Sequence, residues 1–282
     1  MTVHFGSDRW IDIQLDYLKR NLHEPYRVVA NLEGVDAVHH AKFDRVVDAK
    51  GEHAGKLNLL AAEIAAEAAP DDLLMFLDGD AFPIADPMPV VHHALTKSVL
   101  VAVRRAENGE DKQPHPCFCV VPVREWERLH GDWSAGHCFQ LIWGGYRTDV
   151  GGNLLAALER TGSVWTPLLR TNRVNPHLLW FAVYADIVYH HGAGFREPKA
   201  LGNYFLQPKR WKAERLPVVG VVLRKIDSGR IRVWKRLNRR RSRRLSKQIY
   251  DQIRDDPEFY RQFLAAPEQP SDHRTVSSLT PP

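Results

Sequence analysis

The sequence lacks any long apolar run. Its 282 residues include no stretch of the ~20 consecutive apolar residues that a membrane-spanning helix needs, and the run from Leu216 to Leu223 is far shorter. The N-terminus has no continuous apolar segment and reaches charged residues at Asp8 and Arg9, which argues against a cleaved signal peptide. We therefore expect a cytoplasmic protein whose contact with a membrane, at its inner face, is peripheral.

Cysteine is also scarce. The three cysteines, Cys117, Cys119 and Cys138, form no C-x-x-C pair, and their odd number in a chain without an export signal suits free thiols. A zinc site that combines them with His115 and His137 would match no common zinc-ligand spacing. We expect the cysteines to be packing residues.

The composition is that of a globular protein. Hydrophobic residues make up 44% and charged residues 26% of the chain, which argues against wholesale disorder. A chain of this length can form one large α/β domain with a C-terminal extension, whereas two full domains would be cramped. We expect a catalytic domain over residues 1–207, a basic, mainly helical extension over 208–265 and a disordered tail over 266–282.

Short apolar segments alternate with amphipathic segments through the first two thirds of the chain. This alternation predicts an α/β fold with a mostly parallel sheet. The predicted strands are 3–6, 26–32, 43–47, 73–77, 98–103, 117–121 and 187–190, and the predicted helices are 10–22, 54–69 and 152–161.

The most informative segment is the apolar run 73–77, which leads directly into Asp78-Gly79-Asp80. A continuous apolar run is typical of a central strand covered on both faces, and ligands of open α/β sheets bind at the carboxyl ends of such strands. Two carboxylates separated by a glycine can turn together toward a hard divalent cation. We predict that Asp78 and Asp80 hold Mg²⁺ or Mn²⁺, a Lewis acid suited to a diphosphate leaving group.

The sequence Phe-Leu-Asp-Gly-Asp-Ala-Phe-Pro-Ile at 76–84 resembles the strand-end signature of the GT-A glycosyltransferases, especially the glycogenin-like family eight. The likeness covers roughly residues 1 to 200. It implies a GT-A fold, a Rossmann-like mixed sheet flanked by helices. It also implies metal-dependent transfer of a sugar from a nucleotide-diphosphate sugar, a UDP-sugar by resemblance, to an acceptor such as a lipid-linked or envelope glycan.

A second segment, 191–198, is similar to the H-x-x-G-x-x-K-P signature of the same family. The resemblance implies that His191 is a metal ligand and that Gly194 lies at the donor. Glu197 stands where the family has lysine, which leaves Arg196 as the nearest cation. Arginine can bind phosphate in a bidentate manner, so Arg196 is the predicted diphosphate contact.

Three further residues are candidates by position. The segment 52–58 resembles the part of GT-A enzymes that contacts the nucleotide, which suggests donor contacts for Lys56 and Asn58; an exposed first-turn lysine is the alternative for Lys56. Asp149 lies between the two signatures, where the resemblance implies an acidic motif that faces the donor sugar and the acceptor, and it is the candidate catalytic carboxylate. It would deprotonate the acceptor in an inverting reaction or hydrogen-bond the sugar in a retaining one, and the alternative is a helix N-cap.

Lysine and arginine accumulate in residues 224–247, although the whole chain carries a net charge of only +5. A helix there would be strongly cationic with a narrow apolar stripe. It suits an anionic membrane surface, nucleic acid bound without sequence specificity, or simple packing of a solvated helix against the catalytic domain.

Two other function classes remain open at this stage. A haloacid-dehalogenase-like phosphotransferase also places an acidic pair after a buried strand, with its first aspartate as nucleophile. That class expects Thr or Val shortly after the acidic pair, whereas Ala81 and Phe82 follow here. A non-enzymatic module that binds an anionic surface through the basic helix is the third class.

Overall fold

A seven-stranded sheet forms the centre of the protein. The computed structural model describes residues 1–140, 146–192, 194–195 and 217–265. The sheet consists of β1 (Thr2–Phe5), β2 (Val29–Glu33), β3 (Arg45–Val46), β4 (Leu73–Asp78), β6 (Val101–Val103), β7 (His115–Pro122) and β10 (Thr166–Leu168).

The strand order is β10-β6-β7-β4-β1-β2-β3. All neighbouring strands run parallel except β7, which is antiparallel to both β4 and β6. The sheet is therefore mixed and mostly parallel, which confirms the predicted fold class. The direction of β7 was not predicted, because strand composition does not encode the orientation of a neighbour.

Helices cover both faces of this sheet. One apolar layer contains residues of α1 (Ile11–Asn21) and α3 (Met88–Leu95). The other contains residues of α2 (His53–Ala65), α4 (Val123–Arg128) and α5 (Gly152–Thr161). Successive side chains of β4 alternate between the layers, with Leu74 and Phe76 in one and Leu77 in the other. The apolar run 73–77 is thus a central strand, as predicted.

A second, three-stranded sheet brings a distant segment to the end of β4. It consists of β5 (Ala81–Pro83), β11 (Ala182–Tyr184) and β12 (Val188–His190), in the order β11-β12-β5. The strand β5 begins directly after the Asp-Gly-Asp turn, and its antiparallel register with β12 pairs Ala81 with His190. The sheet therefore fixes His190 beside the turn. A two-stranded pair, β8 (Phe139–Gln140) and β9 (Tyr146–Arg147), completes the strands that the structure describes.

The C-terminal part of the chain is a 39-residue helix, α6 (Pro217–Asp255), followed by the short helix α7 (Arg261–Leu264). The buried residues in the described part of α6 recur at helical spacing: Ser242, Ser246, Ile249 and Ile253. Ile249 and Ile253 belong to an aromatic cluster that also contains side chains from the first 190 residues: Trp10, Tyr17, Phe82 and Tyr189. The predicted boundary at 207/208 and the predicted tail 266–282 lie outside the described residues. Among the described helices, none is long and apolar enough to cross a membrane.

Candidate active site

The Asp-Gly-Asp turn at the end of β4 is held rigidly by its surroundings. The Gln14 side-chain amide donates to the carbonyl oxygens of Asp78, at 2.8 Å, and of Ala81, at 2.7 Å. A Cβ atom on Gly79 would lie 2.6 Å from the carbonyl oxygen of Val3. Only glycine fits at this position, and the two flanking carboxylates are consequently fixed relative to the sheet.

Asp78, Asp80 and His190 converge at this edge of the sheet. One possible ligand atom from each residue lies within 4.8 Å of the others. The Nε2 atom of His190 is 3.7 Å from Asp78 Oδ2 and 3.5 Å from Asp80 Oδ1. Two carboxylates and one imidazole form a donor set that fits a divalent cation such as Mn²⁺.

Asp80 is built to remain ionised although it is only 5% exposed. Burial works to raise the pKa of this carboxyl, but His190, His191 and the Gly194 amide outweigh it and hold the pKa well below its usual value. The Gly194 N–H donates to Asp80 Oδ2 at 2.8 Å. Gly194, predicted to lie at the donor, thus contacts a carboxylate of the proposed metal site.

His53 is a member of the site that the sequence did not single out. It is the first residue of α2, and its Nε2 atom lies 2.9 Å from Asp78 Oδ1. Burial lowers the pKa of His53, but the neighbouring Asp78 outweighs this effect and the net result is a raised pKa. Its place in the segment 52–58, which the resemblance had already linked to the donor, was the available signal.

The two adjacent histidines point in different directions. His191 is fully buried, with Nδ1 3.0 Å from the Tyr189 hydroxyl and Nε2 2.8 Å from Ser246 Oγ. Because consecutive side chains at a strand end face opposite sides, only His190 reaches the carboxylates. Ligation of metal by His191 stays a prediction that this geometry does not favour.

Lys56 and Asn58, the predicted donor contacts, are both engaged by the protein. Lys56 is only 3% exposed and forms an ion pair with Glu33, so the alternative of an exposed first-turn lysine is wrong. The Asn58 amide donates to Asp132 Oδ1 at 2.6 Å and its oxygen accepts from the Trp133 N–H at 2.8 Å. Asn58 therefore supports the loop after α4, and a donor contact for either residue remains a prediction.

Asp149, the predicted catalytic carboxylate, is half-buried just before α5. Its Oδ1 atom accepts the Val150 N–H at 3.0 Å, and Gly151 is the N-cap residue of the helix. The alternative role as N-cap is thus not the one that Asp149 has. Arg196, the predicted diphosphate contact, lies outside the described residues.

Glycosyltransferases are among the solved structures that this chain resembles. The apo form of GlyE from Streptococcus pneumoniae TIGR4 is 14% identical over 46% of this chain and 37% of its own, with a TM-score of 0.32. The galactosyltransferase LgtC, in complex with donor and acceptor sugar analogs, is 12% identical over 60% of this chain and 73% of its own, with a TM-score of 0.38. An active-site mutant of LgtC is 12% identical over 79% of this chain and 96% of its own, with a TM-score of 0.39.

The chain thus spans little more than a third of GlyE. No protein-family model matches the sequence, and the search of curated proteins found no match. The fold class rests on the strand order and register of this chain itself.

Proposed function

We propose that this protein is a metal-dependent glycosyltransferase that moves a sugar from a nucleotide-diphosphate donor, a UDP-sugar. The observation that carries the proposal is the convergence of Asp78, Asp80 and His190 at the carboxyl end of a central strand. The resemblance of 76–84 and 191–198 to the two GT-A signatures supports the same reaction.

Each residue of the site has a proposed role in binding the metal or the donor. Asp78, Asp80 and His190 would hold Mn²⁺ or Mg²⁺, which when bound supplies a Lewis acid for the diphosphate leaving group. His53 orients Asp78 through their hydrogen bond, and the Gly194 amide orients Asp80. We retain Arg196 as the proposed diphosphate contact.

Asp149 is the proposed catalytic carboxylate. In an inverting reaction it would take the proton of the acceptor hydroxyl, and in a retaining one it would hydrogen-bond the sugar. We propose a lipid-linked or envelope glycan as the acceptor and the cytoplasm as the place of reaction.

Calorimetric titration of UDP with and without Mn²⁺ tests the proposal. The wild type should bind UDP more tightly with the ion, and Asp80→Asn should abolish that gain because one metal-ligand charge is lost. Glu63→Gln, a substitution at an exposed position of α2, is the matched control and should behave as the wild type.

Two results would contradict the proposal. Binding of UDP that is indifferent to the ion would favour the non-enzymatic module. Turnover of phosphate esters without cleavage of any UDP-sugar would favour the dehalogenase-like phosphotransferase.

We also propose that α6 contacts an anionic lipid surface, which would place the enzyme at the inner face of the membrane. Val233 and Leu237, one helical turn apart, are 60% and 58% exposed. Exposed arginines surround them and follow them along the helix: Arg232, Arg236, Arg239, Arg240, Arg241, Arg243 and Arg244. Apolar side chains flanked by cations are suited to an anionic bilayer surface.

Sedimentation with lipid vesicles tests this contact. The protein should bind vesicles that contain phosphatidylglycerol and not vesicles of phosphatidylcholine alone. The double substitution Val233→Ser and Leu237→Ser should weaken binding, whereas Gln248→Ser, exposed on the same helix, should not. Equal binding to both vesicle types would contradict a role for the arginines.

A further inference from the structure

A second polar cluster lies beside the proposed metal site, and two of its buried atoms have no hydrogen-bond partner in the part of the chain that the structure describes. Arg105 is a buried cation, only 8% exposed, whose Nε atom has no hydrogen-bond partner among the described residues. Glu107 is a half-buried carboxylate whose Oε2 atom is also buried without a partner in that part of the chain. Buried polar atoms are normally hydrogen-bonded, so such a pair calls for an explanation.

The cluster lies at the same edge of the sheet as the Asp-Gly-Asp turn. Arg105 follows the carboxyl end of β6, and His115 is the first residue of the antiparallel strand β7, between β6 and β4. The Arg105 Nη1 atom is 3.4 Å from His115 Nε2, and the ring centroids of His115 and His190 are 5.8 Å apart. His115 thus connects Arg105 to the proposed metal site.

Contacts with neighbouring side chains hold both members of the pair in place. The Tyr184 hydroxyl donates to Glu107 Oε1 at 2.8 Å, whereas Oε2 has no partner among the described residues. Burial works to lower the pKa of Arg105, but Tyr184, Glu107, Cys117 and Asp149 outweigh it and raise the pKa. The cation therefore stays protonated, within electrostatic reach of the proposed catalytic carboxylate.

The chemistry of the two unsatisfied atoms restricts the ligand. Arg105 Nε can only donate a hydrogen bond, and Glu107 Oε2, when ionised, can only accept one. A phosphate would suit Arg105 but would be repelled by Glu107, and an apolar group would satisfy neither. Neighbouring hydroxyl groups, each of which both donates and accepts, satisfy both atoms together.

We propose that Arg105 and Glu107 form the subsite for the transferred sugar, with Arg105 donating to one hydroxyl and Glu107 accepting from a second hydroxyl of the same ring. The inference rests on the proposed function, since the sugar reaches this subsite as part of the nucleotide-diphosphate donor. Tyr184 is a positioning residue that acts through Glu107.

A comparison of UDP with UDP-sugars tests the subsite. Calorimetry in the presence of Mn²⁺ would give the Kd of UDP, UDP-glucose, UDP-galactose and UDP-N-acetylglucosamine for each variant. Glu107→Gln should weaken the tightest UDP-sugar by about tenfold or more, the usual effect of losing a hydrogen bond to a charged group, and should leave UDP unchanged. Glu110→Gln is the matched control, because Glu110 is exposed, and it should change neither Kd.

A second variant keeps the subsite testable if Glu107→Gln does not fold. Tyr184→Phe removes only the hydroxyl that orients Glu107, so the same selective weakening is expected to a smaller degree, with thermal unfolding measured for both variants.

Several outcomes would overturn the inference. If both variants weaken UDP and UDP-sugar equally, or weaken neither, the pair is a structural cluster completed by water. If the wild type binds none of the four compounds in a metal-dependent manner, the proposed function fails and the subsite with it. Metal-dependent binding of UDP without sugar-selective loss refutes the subsite alone.

Discussion

The Asp-Gly-Asp turn and the helix α6 differ in how tightly the rest of the protein packs around them. The turn is enclosed: its main chain is held by Gln14, Asp80 is hydrogen-bonded by Gly194, and Gly79 has no room for a side chain. The described part of α6 buries one stripe and leaves most of its arginines in solvent. Small changes at the turn should therefore alter the proposed chemistry, whereas the outer face of the helix should tolerate substitution.

The largest effect is expected from the two adjacent histidines. His190→Ala removes a proposed ligand and should weaken Mn²⁺ binding by more than about 100-fold, beyond the usual loss for an outer-shell residue. His191→Ala leaves the Tyr189 and Ser246 hydroxyls without their partner and should lower the free energy of unfolding by about 1–3 kcal/mol. Mn²⁺ titration and urea unfolding of both variants check this. Loss of Mn²⁺ binding only in the His191 variant would show that His191 is the metal ligand, as the sequence predicted.

The second-largest effect is expected from a substitution at Gly79. A Cβ atom there would lie 2.6 Å from Val3 O and 2.7 Å from Phe195 Cζ, so the main chain must shift. Gly79→Ala should weaken Mn²⁺ binding by about 10–100-fold, because the carboxylates move although neither is removed. In Gly55→Ala, the control in α2, the new Cβ meets nothing within 4 Å, and the variant should gain up to about 1 kcal/mol of stability. Unchanged Mn²⁺ affinity in Gly79→Ala would mean that the turn is less confined than described.

Acid should destabilise the folded protein through two buried histidines. Burial lowers the pKa of His4 and of His177 from 6.5 to about 4. Between pH 4 and 6.5 the unfolded chain binds more protons at these rings than the folded chain, so the free energy of unfolding rises with pH through this window and levels off above it. Urea unfolding from pH 4.5 to 7.5 measures the slope, which His177→Phe should reduce. An unchanged slope in that variant would exclude a contribution from His177.

The smallest effect on stability is expected on the outer face of α6. Both Arg239 and Arg240 are exposed, so Arg239→Glu with Arg240→Glu should change the free energy of unfolding by no more than about 0.5 kcal/mol. The same pair should lose binding to anionic vesicles, since each basic residue near such a surface contributes about 1 kcal/mol. Unfolding and vesicle sedimentation of one preparation separate the two effects. A large loss of stability would show that this face is packed.

The sequence predicted the central strand and the acidic turn because both depend on local features: a continuous apolar run, and two carboxylates around a glycine. It predicted His191 as the metal ligand and did not show that His190 faces the turn, because that choice is made by the pairing of β12 with β5, about 100 residues earlier in the chain. The strand β5 has only three residues, too few for a pattern to be recognised.

Burial of charged side chains was equally inaccessible to sequence reasoning. Lys56 has the sequence context of a surface lysine, and only its ion pair with Glu33 at the end of β2 accounts for its burial. Arg105 and Glu107 belong to no motif, and their proposed role rests on buried atoms that lack a partner among the described residues, a feature that only three-dimensional packing creates.

One consequence follows from the way in which α6 is anchored. Ser246 on this helix bonds to His191, and the main-chain N–H of His191 donates to the carbonyl oxygen of Asp80 at 3.0 Å. Two hydrogen bonds thus link helix α6 to the Asp-Gly-Asp turn. If α6 contacts a surface as proposed, a displacement of the helix would be transmitted through these two hydrogen bonds to the main chain of Asp80.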